Sequence, residues 1–537
     1  MNDTEFAISI FILLLLIASG VAMLTKWVRV PYTLALVIVG LLISPMHFLP
    51  TIHISPELIL LIFLPALLFE AAWNLKLDHL RENLVPILTL ATIGVALSVG
   101  VIGCIIHFGI GLPWSSALLF GAIISATDPV SVLALFKVLG LPQRLTTIVE
   151  GESLFNDGTA VVMFRIMLGI VVGATAHSTG EMVWMSLREF GLVIFGGLAV
   201  GAVIGFIAST LTSYFDDRLL EITLTTISAY GSFLLAEGLH VSPVIAVLIA
   251  GLIIGNYGRR MGMSSATQVA VDSFWEYAAF VVNSLVFLLI GLEMQLSLLA
   301  RHLPSIGWAV LAMLVSRGIA VYGLTPLTNR FTALVPIKWQ HILFWGGLRG
   351  SLSIALALSL PRALPARSDL VMMVFGAVMF SLLGQGLTIK WLLRLLRLAR
   401  PESELKDHEL LQGKLLAEVA ALAELDALRS QGVITEHVYQ TIRSDLSQSH
   451  QELSLKLAQL DAADRTLEQR QLQQIRRRLI DKKKARLTEL RREGMLTEAS
   501  YDELSAQLNE ELAAAQSEMV QTTPEETVTK SNRSAGE

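Results

Sequence analysis

Residues 113–138, PWSSALLFGAIISATDPVSVLALFKV, decide how the rest of the chain is read. A spanning helix needs roughly 20 mostly apolar residues, because the hydrocarbon core is about 30 Å thick and each residue rises about 1.5 Å. This stretch meets that test, yet Thr127-Asp128-Pro129 stands within it. Proline removes a backbone donor, so the helix is expected to open there into an extended stretch that holds a carboxylate at membrane depth.

Working outward, thirteen stretches pass the same length test: 6–25, 31–49, 56–75, 84–110, 113–138, 143–175, 187–212, 218–237, 240–258, 273–298, 303–329, 338–361 and 368–396. The first has no strongly basic flank and twelve spans behind it, so it reads as an anchor and not as a cleaved signal peptide. Thirteen spans allow two six-helix halves of inverted topology joined by a seventh helix. Seven places after segment 5 comes segment 12, and it too is broken, by Gly346-Gly347-Leu348-Arg349-Gly350. The expected fold is therefore an all-α polytopic membrane protein with two crossed interrupted helices. The plainer reading of either break, taken alone, is that Pro and Gly are more frequent in membrane helices.

Charge agrees with this division. The chain has 537 residues, 53% apolar and only 16% charged, where soluble proteins average about 25% charged. Residues 1–400 hold 42 charges and residues 401–537 hold 43, so two different solvents shaped the two parts. If the N-terminus lies outside, the inner loops carry fifteen Lys and Arg and the outer loops four, an asymmetry that puts the tail in the cytoplasm. The single cysteine, Cys104, excludes an intrachain disulfide framework and a cysteine-based zinc cluster. The balance of −5 gives no sign of a nucleic-acid partner.

An ionised side chain at the bilayer centre costs about 2.5–3.5 kcal/mol on insertion scales and is a functional candidate by default. Glu70, Asp128, Glu152, Asp157, Arg317 and Arg349 are central; Arg165 and Glu276 are less so. Segment 6 is the densest, with Glu150-Gly151-Glu152-Ser153-Leu154-Phe155-Asn156-Asp157-Gly158. At about 100° per residue, Ser153, Asn156 and Asp157 share one face, while Glu152 points about 140° away and serves another partner. Three oxygen-bearing side chains on a stripe, with Asp128 beside them, suit a small dehydrated cation. They also suit a proton, because a carboxylate taken out of water holds one more readily. Asp128 and Asp157 have a second reading, in which they only neutralise half-helix dipoles or pair with arginine. Arginine keeps its charge and needs anions or carbonyls beside it. Arg349 is placed to meet half-helix carbonyls, and Arg317 to pair with Glu152. Nothing local pairs with Glu70, for which ligand and buried acid are equal readings. Arg165, near the outer end of segment 6, is expected to snorkel to the interface.

The run Ala126-Thr127-Asp128-Pro129-Val130-Ser131-Val132-Leu133-Ala134, then Gly151-Glu152-Ser153-Leu154-Phe155-Asn156-Asp157-Gly158, then Gly346-Gly347-Leu348-Arg349-Gly350, resembles the cation:proton antiporter-1 family over roughly residues 5–400. That family holds prokaryotic sodium/proton antiporters and eukaryotic sodium/hydrogen exchangers. The resemblance implies a homodimer whose six-helix core (about 84–175 and 303–396) slides against a dimerisation domain (about 6–75 and 218–298), an elevator form of alternating access. It implies an ion site at Asp128, Asp157, Ser153, Thr127 and Glu70, with Asn156 beside it. It also implies a structural pair, Glu152 with Arg317, and Arg349 as the arginine of the helix crossing. An Asn-Asp pair at 156–157 is similar to the electroneutral class, one cation for one proton. Sodium is the expected ion, with lithium or potassium as alternatives, and the expected setting is a plasma or inner membrane, in pH and sodium homeostasis. Pro65-Ala66 and Phe155 depart from the commonest pattern, at positions that touch no ligand. A cation channel or a transporter-derived sensor is the competing class. No nucleophile–histidine pair or zinc-ligand set lies within the spans, so no enzyme and no cofactor is expected.

The tail, 401–520, carries leucines at helical spacing and two similar units 62 residues apart, Gly432–Tyr439 and Gly494–Tyr501. Each reads as a helix stop, a Thr cap and a second helix, predicting two related hairpins. Arg476-Arg477-Arg478 and Lys482-Lys483-Lys484 are read as a solvated face or a contact for anionic membrane lipid. Regulatory contacts of the tail are a further expectation. Residues 521–537 read as disordered.

Overall fold

The structure, a computed structural model, describes residues 3–28, 31–44, 57–172, 179–214, 217–293, 301–398, 402–430 and 434–463, with scattered positions between 479 and 507. The chain divides into two compact units, Met1–Arg400 and Pro401–Glu537. Among the described residues there is helix and no strand.

In the first unit the helices run in chain order as α1 (Asp3–Val28), α2 (Tyr32–Ile43), α3 (Leu64–Asn74), α4 (Leu84–Ile110), α5 (Trp114–Ser125), α6 (Val130–Leu139), α7 (Gln143–Val172), α8 (Thr179–Thr212), α9 (Arg218–Gly238) and α10 (Pro243–Ile253). They continue as α11 (Ser265–Glu293), α12 (Leu303–Thr328), α13 (Ile337–Trp345), α14 (Ser351–Leu358) and α15 (Arg367–Leu395). Eight helices among the described residues are long and apolar enough to cross a membrane, and four shorter apolar ones accompany them. Two helices begin well before the expected spans. α8 starts at Thr179, not 187, and α11 at Ser265, not 273, because their first turns are too polar for a hydropathy criterion yet still close their backbone bonds.

Both expected interruptions are present. Helix stops at Ser125 and resumes at Val130; it stops again at Trp345 and resumes at Ser351. Pro129 explains the first, since its ring drives the preceding residue out of the helical region. The glycine cluster explains the second, with Gly350 extended at φ −133°, ψ −150°. Elsewhere glycine sets how closely helices approach. A Cβ on Gly40 of α2 would lie 2.9 Å from the Cα of Gly291 on α11, so these two helices touch backbone to backbone.

Arg144, at the start of α7, ties three elements together. It donates to Asn83 Oδ1 (2.8 Å) and to the carbonyls of Leu334 (2.8 Å) and Ala333 (2.7 Å). The Arg165 guanidinium meets Glu237, at the end of α9, at 2.5 Å. The sequence reading missed this partner because no local pattern links positions 72 residues apart.

In the second unit, α16 (Glu402–Ser430) and α17 (Glu436–Ala463) form an antiparallel hairpin, with Ser449 donating to Glu418 at 2.7 Å. Tyr439 of the recurring unit is its pivot. Its ring is buried beneath the Arg429 guanidinium, 4.3 Å from the centroid, and its hydroxyl donates to Asp426 at 2.7 Å. For the second unit, Thr497 accepts from the Ser500 backbone N–H as an N-cap. Most of that hairpin, Arg476–Arg478, Lys484 and 521–537 lie outside the described residues.

Candidate ion site

The two breaks meet. The Asp128 N–H donates to the Leu348 carbonyl at 2.7 Å, so the extended stretches are joined main chain to main chain. Each needs further support, because neither can satisfy its own backbone inside a membrane. Side chains supply it. Arg349, 2% exposed, reaches across and donates to the carbonyls of Ser125 (2.6 Å) and Ala126 (3.0 Å), at the C-terminal end of α5. There a cation meets the negative end of the helix dipole. The Arg349 N–H donates to Ser381 Oγ at 2.8 Å. Asp128 accepts from the Val130 N–H at 3.1 Å and so caps α6.

From α7, Ser153 donates to the Thr127 carbonyl. One turn on, Asn156 donates to the Ser125 carbonyl and to Thr127 Oγ1, both at 3.0 Å. Asn156 thus braces the unwound stretch with its nitrogen, while its Oδ1 has no hydrogen-bond partner. Asp157 sits next to it. The Thr127 backbone faces its carboxylate, with Asp128, Glu152 and Arg349 as its charged neighbours. Its Oδ1 is buried without a hydrogen-bond partner. A buried carboxylate oxygen with nothing to accept from is expensive unless a proton or cation visits it.

A cavity of about 480 Å³ opens beside this crossing, and Asp128, Asp157, Ser153 and Thr127 line it. Glu70 of α3 lines it as well. Contrary to the sequence expectation, Glu70 has a local partner, because Asn74 one turn on donates to its Oε1 at 2.7 Å. The i, i+4 spacing makes this contact ordinary for a helix.

Glu152 stands apart from the cavity group, on the other side of α7. Arg317 of α12 donates to both its oxygens, at 2.7 and 2.9 Å, and spends its remaining bonds on the Leu343 carbonyl at the end of α13. The two residues are 2% and 6% exposed. This fork-on-fork contact ties α7 to α12, and the Leu343 carbonyl brings in α13.

The structure therefore brings Asp128, Asp157, Ser153, Thr127 and Glu70 to one cavity, puts Asn156 and Arg349 in its frame, and sets Glu152 with Arg317 behind it. Sequence reasoning missed Ser381. Its only signal is a hydroxyl in an otherwise apolar span, at the head of a π-helical turn, Phe380–Gln385.

Gly350 is the tightest point. A Cβ there would fall on the Asp128 carboxylate. Gly350→Ala is expected to lower the melting temperature of the purified protein, through strain of about 1–3 kcal/mol. Gly20→Ala, where a Cβ meets nothing within 4 Å, is the control and should melt like the parent.

Comparison with known proteins gives the family. Residues 11–395 match the family described as sodium/hydrogen exchanger, transmembrane. The Na(+)/H(+) antiporter ApNhaP of Aphanothece halophytica is 45% identical over 424 residues, 78% of this chain and 80% of that protein. The Na(+)/H(+) antiporter NhaS2 of a Synechocystis strain is 37% identical over 511 residues, 94% of this chain and 93% of that protein. Among solved structures, the sodium proton antiporter MjNhaP1 of Methanocaldococcus jannaschii superposes with a TM-score of 0.62 at 23% identity, covering 73% of this chain and 99% of that one, a likeness of fold. The chain is a multi-pass membrane transporter rather than an enzyme, and it belongs to the sodium/hydrogen exchanger family.

Proposed function

We propose that this chain exchanges sodium for protons across a cell membrane, one for one, with Asp157 as the carboxylate that both ions share. The observation that carries this reading is the partnerless, buried Asp157 Oδ1 beside a cavity lined by Asp128, Ser153 and Thr127. Hard cations prefer carboxylate, carbonyl and hydroxyl oxygens, and this wall offers all three. A carboxylate that holds either a proton or a cation couples the two ions by competition. The curated relatives named as sodium/proton antiporters support sodium as the cation.

Alternating access by an elevator movement follows the same logic. The bonds at the crossing link residues of 84–175 with residues of 303–396, so those stretches are tied to one another. Glu70, which lines the same cavity, comes from the remaining set, 6–75 and 218–298. That set forms the dimerisation domain of a homodimer. Thirteen spans in two inverted halves account for two breaks that meet. With the N-terminus outside, Pro31, Asn74, Glu150 and Glu276 on the cavity wall lie towards the cytoplasmic ends of their helices, so the cavity faces inward. On the far side, the Arg165–Glu237 pair then links the core to the dimerisation domain as an outer closure.

Reconstituted liposomes test this reading. Sodium added to vesicles with an acidic lumen should dequench an enclosed pH dye, and an imposed membrane potential should leave the rate unchanged. A rate that follows the potential overturns the one-for-one ratio. Absence of dequenching with sodium, lithium and potassium alike overturns the exchange itself, and comparing the three fixes the preferred ion.

A further inference from the structure

We propose that Ser353, on the second interrupted helix, supplies an additional oxygen to the transported cation, so that the ion is held by both halves of the crossing. The inference rests on the reading of Asp157 as the ion site and adds a ligand to it. Ser353 is the third residue of α14, is fully buried, and lines the same cavity as Asp128, Asp157 and Ser153. Its Oγ has no hydrogen-bond partner.

That orphan hydroxyl has a geometric cause. A serine inside a helix ordinarily donates to a carbonyl three or four residues back. Ser125, Ser232 and Ser316, buried like Ser353, each donate to the carbonyl three residues back, on Ala122, Ala229 and Met313. For Ser353 the corresponding residues are Gly350 and Arg349, which belong to the extended break, and neither carbonyl accepts from it. Two other serines at the crossing depart from the pattern and are used instead between elements: Ser153 donates to the Thr127 carbonyl, and Ser381 accepts from the Arg349 N–H. Ser353 alone of these three, a residue that lines the cavity, is left with an unmatched hydroxyl. Leaving a buried polar group unmatched is costly, and a dehydrated cation against Asp157 is a partner of the right chemistry. Its hydroxyl then does for the second half-helix what Ser153 does for α7.

The test compares Ser353→Ala, Ser353→Cys and Ser353→Thr with the parent in liposomes. Ser353→Ala and Ser353→Cys, which lack a hard oxygen, should raise the sodium concentration for half-maximal exchange about tenfold, equivalent to about 1.4 kcal/mol, with little change in maximal rate. Ser353→Thr should restore the parent value. The same order should appear in the sodium concentration that half-maximally raises the melting temperature, a readout that needs no transport. Unchanged sodium dependence in Ser353→Ala by both measurements overturns the proposal. A fall in maximal rate or melting temperature with unchanged sodium dependence, equal for sodium, lithium and potassium, overturns it in favour of a packing role. Should Asp157→Asn exchange normally, the underlying site reading fails, and that failure is seen independently of Ser353.

Discussion

Asp157→Asn is expected to abolish sodium-driven proton movement in liposomes while the protein still folds. Asparagine keeps the shape of aspartate and removes only the charge. In the parent, Asp157 Oδ1 makes no hydrogen bond, so the substitution breaks no internal contact there. It does remove the anion that would offset a cation's dehydration and the group that would take the proton in its place. Charge-assisted contacts are worth about 1.5–3 kcal/mol each, and at about 1.4 kcal/mol per tenfold that loss weakens sodium binding about ten- to hundredfold. Asp128→Asn serves as the comparison. Asparagine caps a helix about as well as aspartate, so the contact to the Val130 N–H survives and the residual rate reports the charge alone. Exchange at the parent rate in Asp157→Asn would sink the assignment.

Glu152→Ala is expected to cause the largest loss of stability of any single change in the crossing, about 3–5 kcal/mol, the cost of breaking a buried pair from one side. Arg317 would be left with the Leu343 carbonyl and no anion, and a guanidinium cannot shed its charge. Arg317→Ala should cost less, because a stranded carboxyl can neutralise itself by taking up a proton. The double variant should recover part of the loss, since no buried ion remains. Melting temperatures of the three purified variants check this order. Equal losses in both single variants, with no recovery in the double, would show that the pair acts through packing rather than charge.

Much of the candidate site was legible because membrane chemistry makes polar residues rare. Asp128, Asp157, Glu152, Arg317 and Arg349 stood out as charges in apolar spans, and helical periodicity separated Glu152 from Asp157 before any coordinates. The Pro129 and Gly346–Gly350 breaks were legible for the same reason: helix is the default in lipid and its interruption leaves a mark. Other features left none. The Glu70–Asn74 contact was local but unremarked, since asparagine at a helix end is common. The Arg165–Glu237 pair joins two ordinary surface-like charges on different helices. Ser353 and Ser381 looked like small residues in apolar spans, and only the line of the broken backbone shows why one is used by Arg349 and the other has no partner.

By itself, then, the sequence determined which residues are buried in lipid and where helix must fail, because hydropathy, proline and glycine act locally and within a few residues. Which atoms face each other was decided by tertiary structure alone. The meeting of Asp128 with Leu348, and of Arg349 with Ser125, joins residues 220 or more positions apart, and each contact exists because an open backbone in a membrane must find its hydrogen bonds somewhere.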